Sequence, residues 1–247
     1  CHDKHGLVGV LRLKKAEPEL CVGCHEKSAA FAQGDHVHLG AGQGKCSACH
    51  DPHAASEPKL LVAKGPELCF KCHDKTAYQT GNVHAPVAEG CLACHDAHTN
   101  ATASGLVKPE QELCARCHDP AAQKFTAAHN DYDVSSAKCG SCHAAHASSG
   151  KGLIRRVVHS PLGDGDCSVC HSEPDAEAPK GSTPALLMPA EKLCAVCHGD
   201  LCNDFRERSS AHAPVKERKC LACHTPHASE HDKLLSADAS AVCTQCH

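Results

Sequence analysis

The large apolar side chains of this chain are sparse, and they gather at one recurring position. Leu20, Leu68, Leu113 and Leu193 each stand immediately before a cysteine, and Val242 takes the same place before the last such pair. Glu precedes the Leu at three of these points, and Pro18, Pro66, Pro109 and Pro189 lie just upstream. Proline followed by acidic residues suits a first helical turn: Pro has no N–H to leave unpaired, and carboxylates face the positive end of the helix dipole. Short helices are therefore predicted over these cysteines. The rest of the pattern is polar and irregular, with nothing that reads as β-sheet. No run of about 18 apolar residues occurs, so no transmembrane helix is expected.

Composition sharpens the picture. Only 40 of the 247 residues are Leu, Val, Ile or Phe, about 16%, below the ~20% floor for a chain that packs its own core. There is no Trp, aromatics are 2%, and the 41% hydrophobic content is mostly Ala and Cys. The net charge of −4 is too modest for a charge-driven disordered chain. No basic block suggests a nucleic-acid partner. The chain therefore stays loose or takes its core from something bound. Residue 1 is a Cys, and the chain reads as a segment of a longer product.

The sequence holds 22 Cys and 23 His. Twenty-one of the Cys fall into one motif, Cys-x-x-Cys-His. Complete copies pair Cys21 with Cys24, Cys46 with Cys49, Cys69 with Cys72, Cys91 with Cys94 and Cys114 with Cys117. The others pair Cys139 with Cys142, Cys167 with Cys170, Cys194 with Cys197, Cys220 with Cys223 and Cys243 with Cys246. Their histidines are His25, His50, His73, His95, His118, His143, His171, His198, His224 and His247, and an eleventh copy is cut to Cys1 and His2. Disulfides and zinc ribbons both use many Cys, but neither requires a His at the next position. Covalent haem attachment requires it: two thiols take the vinyl groups and the imidazole reaches the iron. Eleven haem c groups would supply the buried apolar surface that the side chains lack, so the apoprotein is expected not to fold.

Two kinds of unit alternate. The first has the Leu (or Val242) before its first Cys. The second carries a further His three residues on, at His5, His53, His98, His146 and His227, and has a His upstream, at His38 or His36, then His84, His129 and His212. One and the same interval separates His5 from Cys21, His53 from Cys69, His98 from Cys114 and His227 from Cys243. Outside the motifs there are 12 His and a single Met, Met188, so bis-histidine iron is expected throughout. The constant spacing assigns His5, His53, His98 and His227 to the haems on Cys21, Cys69, Cys114 and Cys243. The upstream histidines His38, His84, His129, His159 and His212 are assigned to their own units, at Cys46, Cys91, Cys139, Cys167 and Cys220. The haem on Cys1 would take its second ligand from further upstream.

The unit at 167–171 lacks a paired His, and Ala178 occupies the place at that same interval before Cys194. His146 is the first candidate ligand for the Cys194 haem. Met188, His231, His36 or an open iron are the others. Cys202 reads as a small filler or a free thiol.

With Cys-His-x-x-His units alternating with Leu-Cys-x-x-Cys-His units, the chain resembles the doubled-CxxCH family of multihaem c-type cytochromes, including electron conduits of metal-respiring bacteria. The resemblance implies an elongated fold of loops and short helices wrapped around a haem array. It implies electron transfer rather than catalysis, with redox proteins as partners, or a porin barrel, or copies of the chain in a filament. It also implies a periplasmic or extracellular location. Repeated haem-pair units are expected over 1–147, an irregular segment over 148–193 and final units over 194–247, in one continuous domain. With eleven haems the formal charge would fall to about −26 reduced or about −15 ferric. A multihaem reductase with an open iron at 194–198 is the rival reading.

Overall fold

The computed structural model describes residues 1–3, 12–27, 37–38, 41, 43–99, 102, 104–135, 137–173 and 185–247. Its α-helices are α1 (Glu17–Val22), α2 (Gly65–Cys69), α3 (Thr76–Gln79), α4 (Ala85–Glu89), α5 (Glu110–Ala115), α6 (Gln123–Ala128), α7 (Ser160–Gly163), α8 (Ala190–Glu207), α9 (Ala213–Lys216) and α10 (Ala239–Thr244). The strands are two-residue pieces: β1 (Asn82–Val83), β2 (Ala147–Ser148), β3 (Val157–Val158) and β4 (Ala228–Ser229). They pair antiparallel, β1 with β2 and β3 with β4. The architecture is mostly irregular with short helices and very little sheet, as the sequence reading expects.

The helices foreseen over the first-kind units are present. Cys21, Cys69, Cys114, Cys194 and Cys243 lie in α1, α2, α5, α8 and α10. Pro18 and Pro66 sit in the first turns of α1 and α2, with Glu17, Glu19 and Glu67 beside them. The second-kind units use single 3₁₀ turns instead, Cys46–Ala48, Cys91–Ala93, Cys139–Ser141, Cys167–Val169 and Cys220–Ala222. In both kinds the motif His donates its backbone N–H to the carbonyl of the first Cys, as in His50 to Cys46 and His73 to Cys69. That closure puts the two thiols and the imidazole on one face, at i, i+3 and i+4.

A second local feature belongs to the second-kind units. Their motif His forms an antiparallel bridge to an aliphatic residue eleven positions on: His2 with Leu13, His50 with Leu61, His95 with Leu106, His143 with Ile154 and His224 with Leu235. The next helix starts one turn after the bridging Leu, as with Leu61 and α2 or Leu235 and α10. His171 bridges to Leu186, across a longer loop. The constant interval from paired His to following Cys is thus the length of a bridge and a helix start.

The chain forms two compact units, residues 1–78 with 85–113, and residues 79–84 with 114–247. Within the first, α1 packs on the 46–50 motif: Glu17 accepts from the Ser47 backbone N–H and, at 3.0 Å, from its hydroxyl. Gly44, at φ 67°, lies so close to Pro18 that a Cβ there would overlap the proline ring. Neither unit has a side-chain core of ordinary size. Among the described residues the buried apolar side chains are Tyr132 and Ala228.

Candidate metal centres

Three motif imidazoles of the second-kind units are oriented by backbone carbonyls. His50 Nδ1 donates to the Lys59 carbonyl at 2.9 Å, His143 Nδ1 to Gly152 at 2.7 Å and His224 Nδ1 to Lys233 at 2.8 Å. The accepting residues sit in left-handed turns, with φ of 59°, 63° and 58°. Such backbone costs about 1–3 kcal/mol at a non-glycine residue. Here it aims a carbonyl at the ring. Because a carbonyl only accepts, Nδ1 carries the proton and Nε2 keeps the lone pair a metal needs.

Among the described residues eight motif imidazoles face a second imidazole. The pairs are His2–His53 (5.9 Å between ring centroids), His38–His73 (6.2 Å), His50–His98 (6.1 Å) and His84–His118 (6.0 Å). The others are His129–His143 (6.2 Å), His159–His198 (6.1 Å), His171–His227 (6.0 Å) and His212–His247 (5.8 Å). Two imidazoles on opposite sides of one metal, each bonded at about 2 Å, place their centroids about 6 Å apart. Burial pushes the pKa of His98 and of His227 below the usual range, in His227 with His171 adding to the effect.

The ring pairs differ from most of the sequence assignment. His53 faces His2, not His73. His98 faces His50, not His118. His227 faces His171, not His247. The upstream histidines do not turn back to their own units either: His38 faces His73, His84 faces His118, His159 faces His198 and His212 faces His247. His129 is the one that stands opposite the His of its own unit. At the Cys194 unit the imidazole opposite His198 is that of His159, which is not among the candidates His146, Met188, His231 and His36. His5 and His36 lie outside the described residues. His231 sits 3.3 Å from Asp238. Cys202 is a half-buried free thiol on α8.

A recurring dipeptide explains the order. Val37-His38, Val83-His84 and Val158-His159 each run antiparallel to the end of a second-kind unit. Val37 bridges Thr99, Val83 pairs with Ala147, and Val158 pairs with Ala228. In each case the upstream His donates its backbone N–H to the carbonyl of the paired His: His38 to His98, His84 to His146, His159 to His227. The small ladders exist to hold two imidazoles side by side and aim them at different motifs. The Val-His dipeptide was the sequence signal for this.

All 22 cysteines are free, and among the described residues no three of Cys, His, Asp and Glu converge as a zinc site demands. The doubled CXXCH motif family matches residues 1–30, 38–78, 84–123 and 212–247, more than half of the chain. The chain belongs to that family. This doubled-CXXCH protein is a multihaem c-type cytochrome that binds haem c and works in electron transfer. A comparison with curated proteins found no match.

The cytochrome's motif thiols also approach one another. Burial, and then contact with Cys46, pushes the Cys21 thiol pKa up. Burial with the adjoining Cys91 takes Cys69 to about 11, and burial with Cys220 raises Cys194. The same holds for Cys170 beside Cys197. Thioether formation removes these titrations, but the adjacency remains. Bound haems would have neighbouring attachment edges at Cys21 and Cys46, Cys69 and Cys91, Cys170 and Cys197, and Cys194 and Cys220. No helix among the described residues is long and apolar enough to cross a membrane.

Proposed function

We propose that this cytochrome carries electrons along a chain of about eleven haems, as a conduit or wire segment in respiratory or extracellular electron transfer. The observation that carries the reading is the set of eight imidazole pairs at 5.8–6.2 Å, each formed from one motif His and one His of a different segment or turn. The bound haem supplies one-electron exchange at its iron. The protein's own residues do the rest. Cysteine thiols fix each macrocycle, and backbone carbonyls on Nδ1 hold imidazoles in one tautomer. Two strong ligands leave the iron little freedom to change geometry on reduction, and neighbouring thiols keep successive sites close.

Redox proteins are the expected partners, with a porin barrel or further copies of the chain as assembly contexts. The periplasm or cell exterior is the expected location. Electron passage, not substrate turnover, is the proposed role. The reductase reading depended on an open iron at Cys194, and His159 stands opposite His198 there.

Haem counting by alkaline pyridine spectra, combined with carbon monoxide titration and protein-film voltammetry, tests the proposal. About eleven haems per chain, at least eight of them silent to carbon monoxide, and a broad reversible voltammetric envelope are expected. Carbon monoxide binding at most haems, or a catalytic wave with nitrite or sulfite, would overturn it.

A further inference from the structure

Four of the second imidazoles divide into two classes by what stands behind Nδ1. His84 and His129 are backed by neutral carbonyls, of Ala145 at 2.9 Å and Phe125 at 2.8 Å. His53 and His98 are backed by carboxylates instead. Asp51 Oδ1 lies 3.5 Å from His53 Nδ1, and Asp96 Oδ1 lies 3.9 Å from His98 Nδ1. Both carboxylates are held in place by their own loops. Asp51 accepts backbone N–H groups of His53 at 2.9 Å and Ala54 at 3.4 Å. Asp96 accepts those of His98 at 2.7 Å and Thr99 at 3.3 Å.

The equivalent position in the last second-kind unit is Thr225. Its hydroxyl donates to the Ala228 carbonyl at 2.9 Å, so the position that carries a carboxylate in the other two units is neutral here. The surroundings differ as well. Ala228 and Ser229 are buried beside His227, and Tyr132, the one buried aromatic among the described residues, packs edge-on against His171. Negative charge behind an axial imidazole favours ferric iron. Burial without such charge disfavours the extra positive charge of the ferric state. The two influences separate these sites in the same direction.

We infer that Asp51 and Asp96 are positioning residues that hold the irons of the His2–His53 and His50–His98 pairs at the low-potential end of the array, while Thr225 leaves the iron of the His171–His227 pair at the high-potential end. The inference rests on the electron-transfer reading above and adds an order of filling to it. The His171–His227 iron takes electrons before the other two.

The experiment is a redox titration of the haem-loaded protein, followed by optical and low-spin electron paramagnetic resonance signals. Asp51→Asn keeps the oxygen that accepts from His53 and Ala54 and removes only the charge. Asp51→Asn and Asp96→Asn should each shift one haem's ferric–ferrous equilibrium toward ferrous three- to tenfold, about 30–60 mV at 59 mV per tenfold. The shift should fall in the lowest-potential part of the curve. Thr225→Asp should move one haem of the highest-potential part the other way. Unchanged titrations in both Asn variants, with low-spin signals intact, would overturn this inference alone. Absence of low-spin bis-imidazole signals in the unaltered protein would overturn the ligand reading and this inference with it.

Discussion

Residues 46–98 and residues 139–198 are built from the same parts and assembled differently. In the first stretch a 3₁₀-turn motif is followed by its bridge at Leu61, a helical motif in α2, and then the next 3₁₀-turn motif. In the second, the bridge at Ile154 leads straight into β3, and the helical motif that should lie between is missing. The following motif at 167–171 lacks its paired His, position 174 being Pro. His143 then has no paired His of the next unit to face, and His129 faces it instead, at an interplanar angle of 65° against 11° for His50–His98. The family match stops at 123 and resumes at 212, bracketing this break. The lesson is that each motif is a local seat, while the second ligand is delivered by a separate segment and is exchangeable. A donor lost in one place is replaced by another that the altered repeat has freed.

The strongest test of that comparison withholds the haem. Both stretches should be unfolded in the apo chain, with coil-like circular dichroism and no protease-resistant fragment. A resistant fragment from either stretch would show that its seats form without the cofactor. Next in size are the ligand deletions. His159→Ala and His129→Ala should each make about one haem in eleven bind carbon monoxide, read from the difference spectrum. If His129→Ala changes nothing, the substitution of donors at the break is wrong.

Smaller effects separate the packing of the segments that lie against the two stretches. Gly44→Ala forces a side chain against Pro18 in a left-handed turn, and should cost about 1–3 kcal/mol in denaturant titration. Ala228→Leu overfills a site that is 1% exposed and should also cost about 1–3 kcal/mol. The matching change Thr99→Leu, at a half-buried position of the corresponding ladder, should stay within about 0.5 kcal/mol. Equal costs at 99 and 228 would mean that the two ladders are equally packed.

Much of this was legible in the sequence. Proline, acid and Leu ahead of Cys marked the helical seats, because those preferences act within one turn. The shortage of large apolar residues announced a borrowed core. The ligand partners were not legible from spacing, because the regular interval from His53 to Cys69 is fixed by the Leu61 bridge and the start of α2. Constant spacing in a duplicated unit reports local geometry as readily as it reports coordination. The partner of His98 is set by a ladder with Val37 and His38, which belong to an earlier repeat, and only the repeated Val-His dipeptide hinted at it.

The direction of the pairings has a consequence for how the protein is made. Helical-seat motif histidines face an imidazole from earlier in the chain: His38 precedes His73 and His84 precedes His118. Turn-seat histidines such as His2 and His50 face one from the repeat that follows, at His53 and His98. In a chain emerging from its amino end, the two kinds of seat would therefore be completed on two schedules. One set would find its second imidazole already made. The other would stay one ligand short until the following repeat is synthesised.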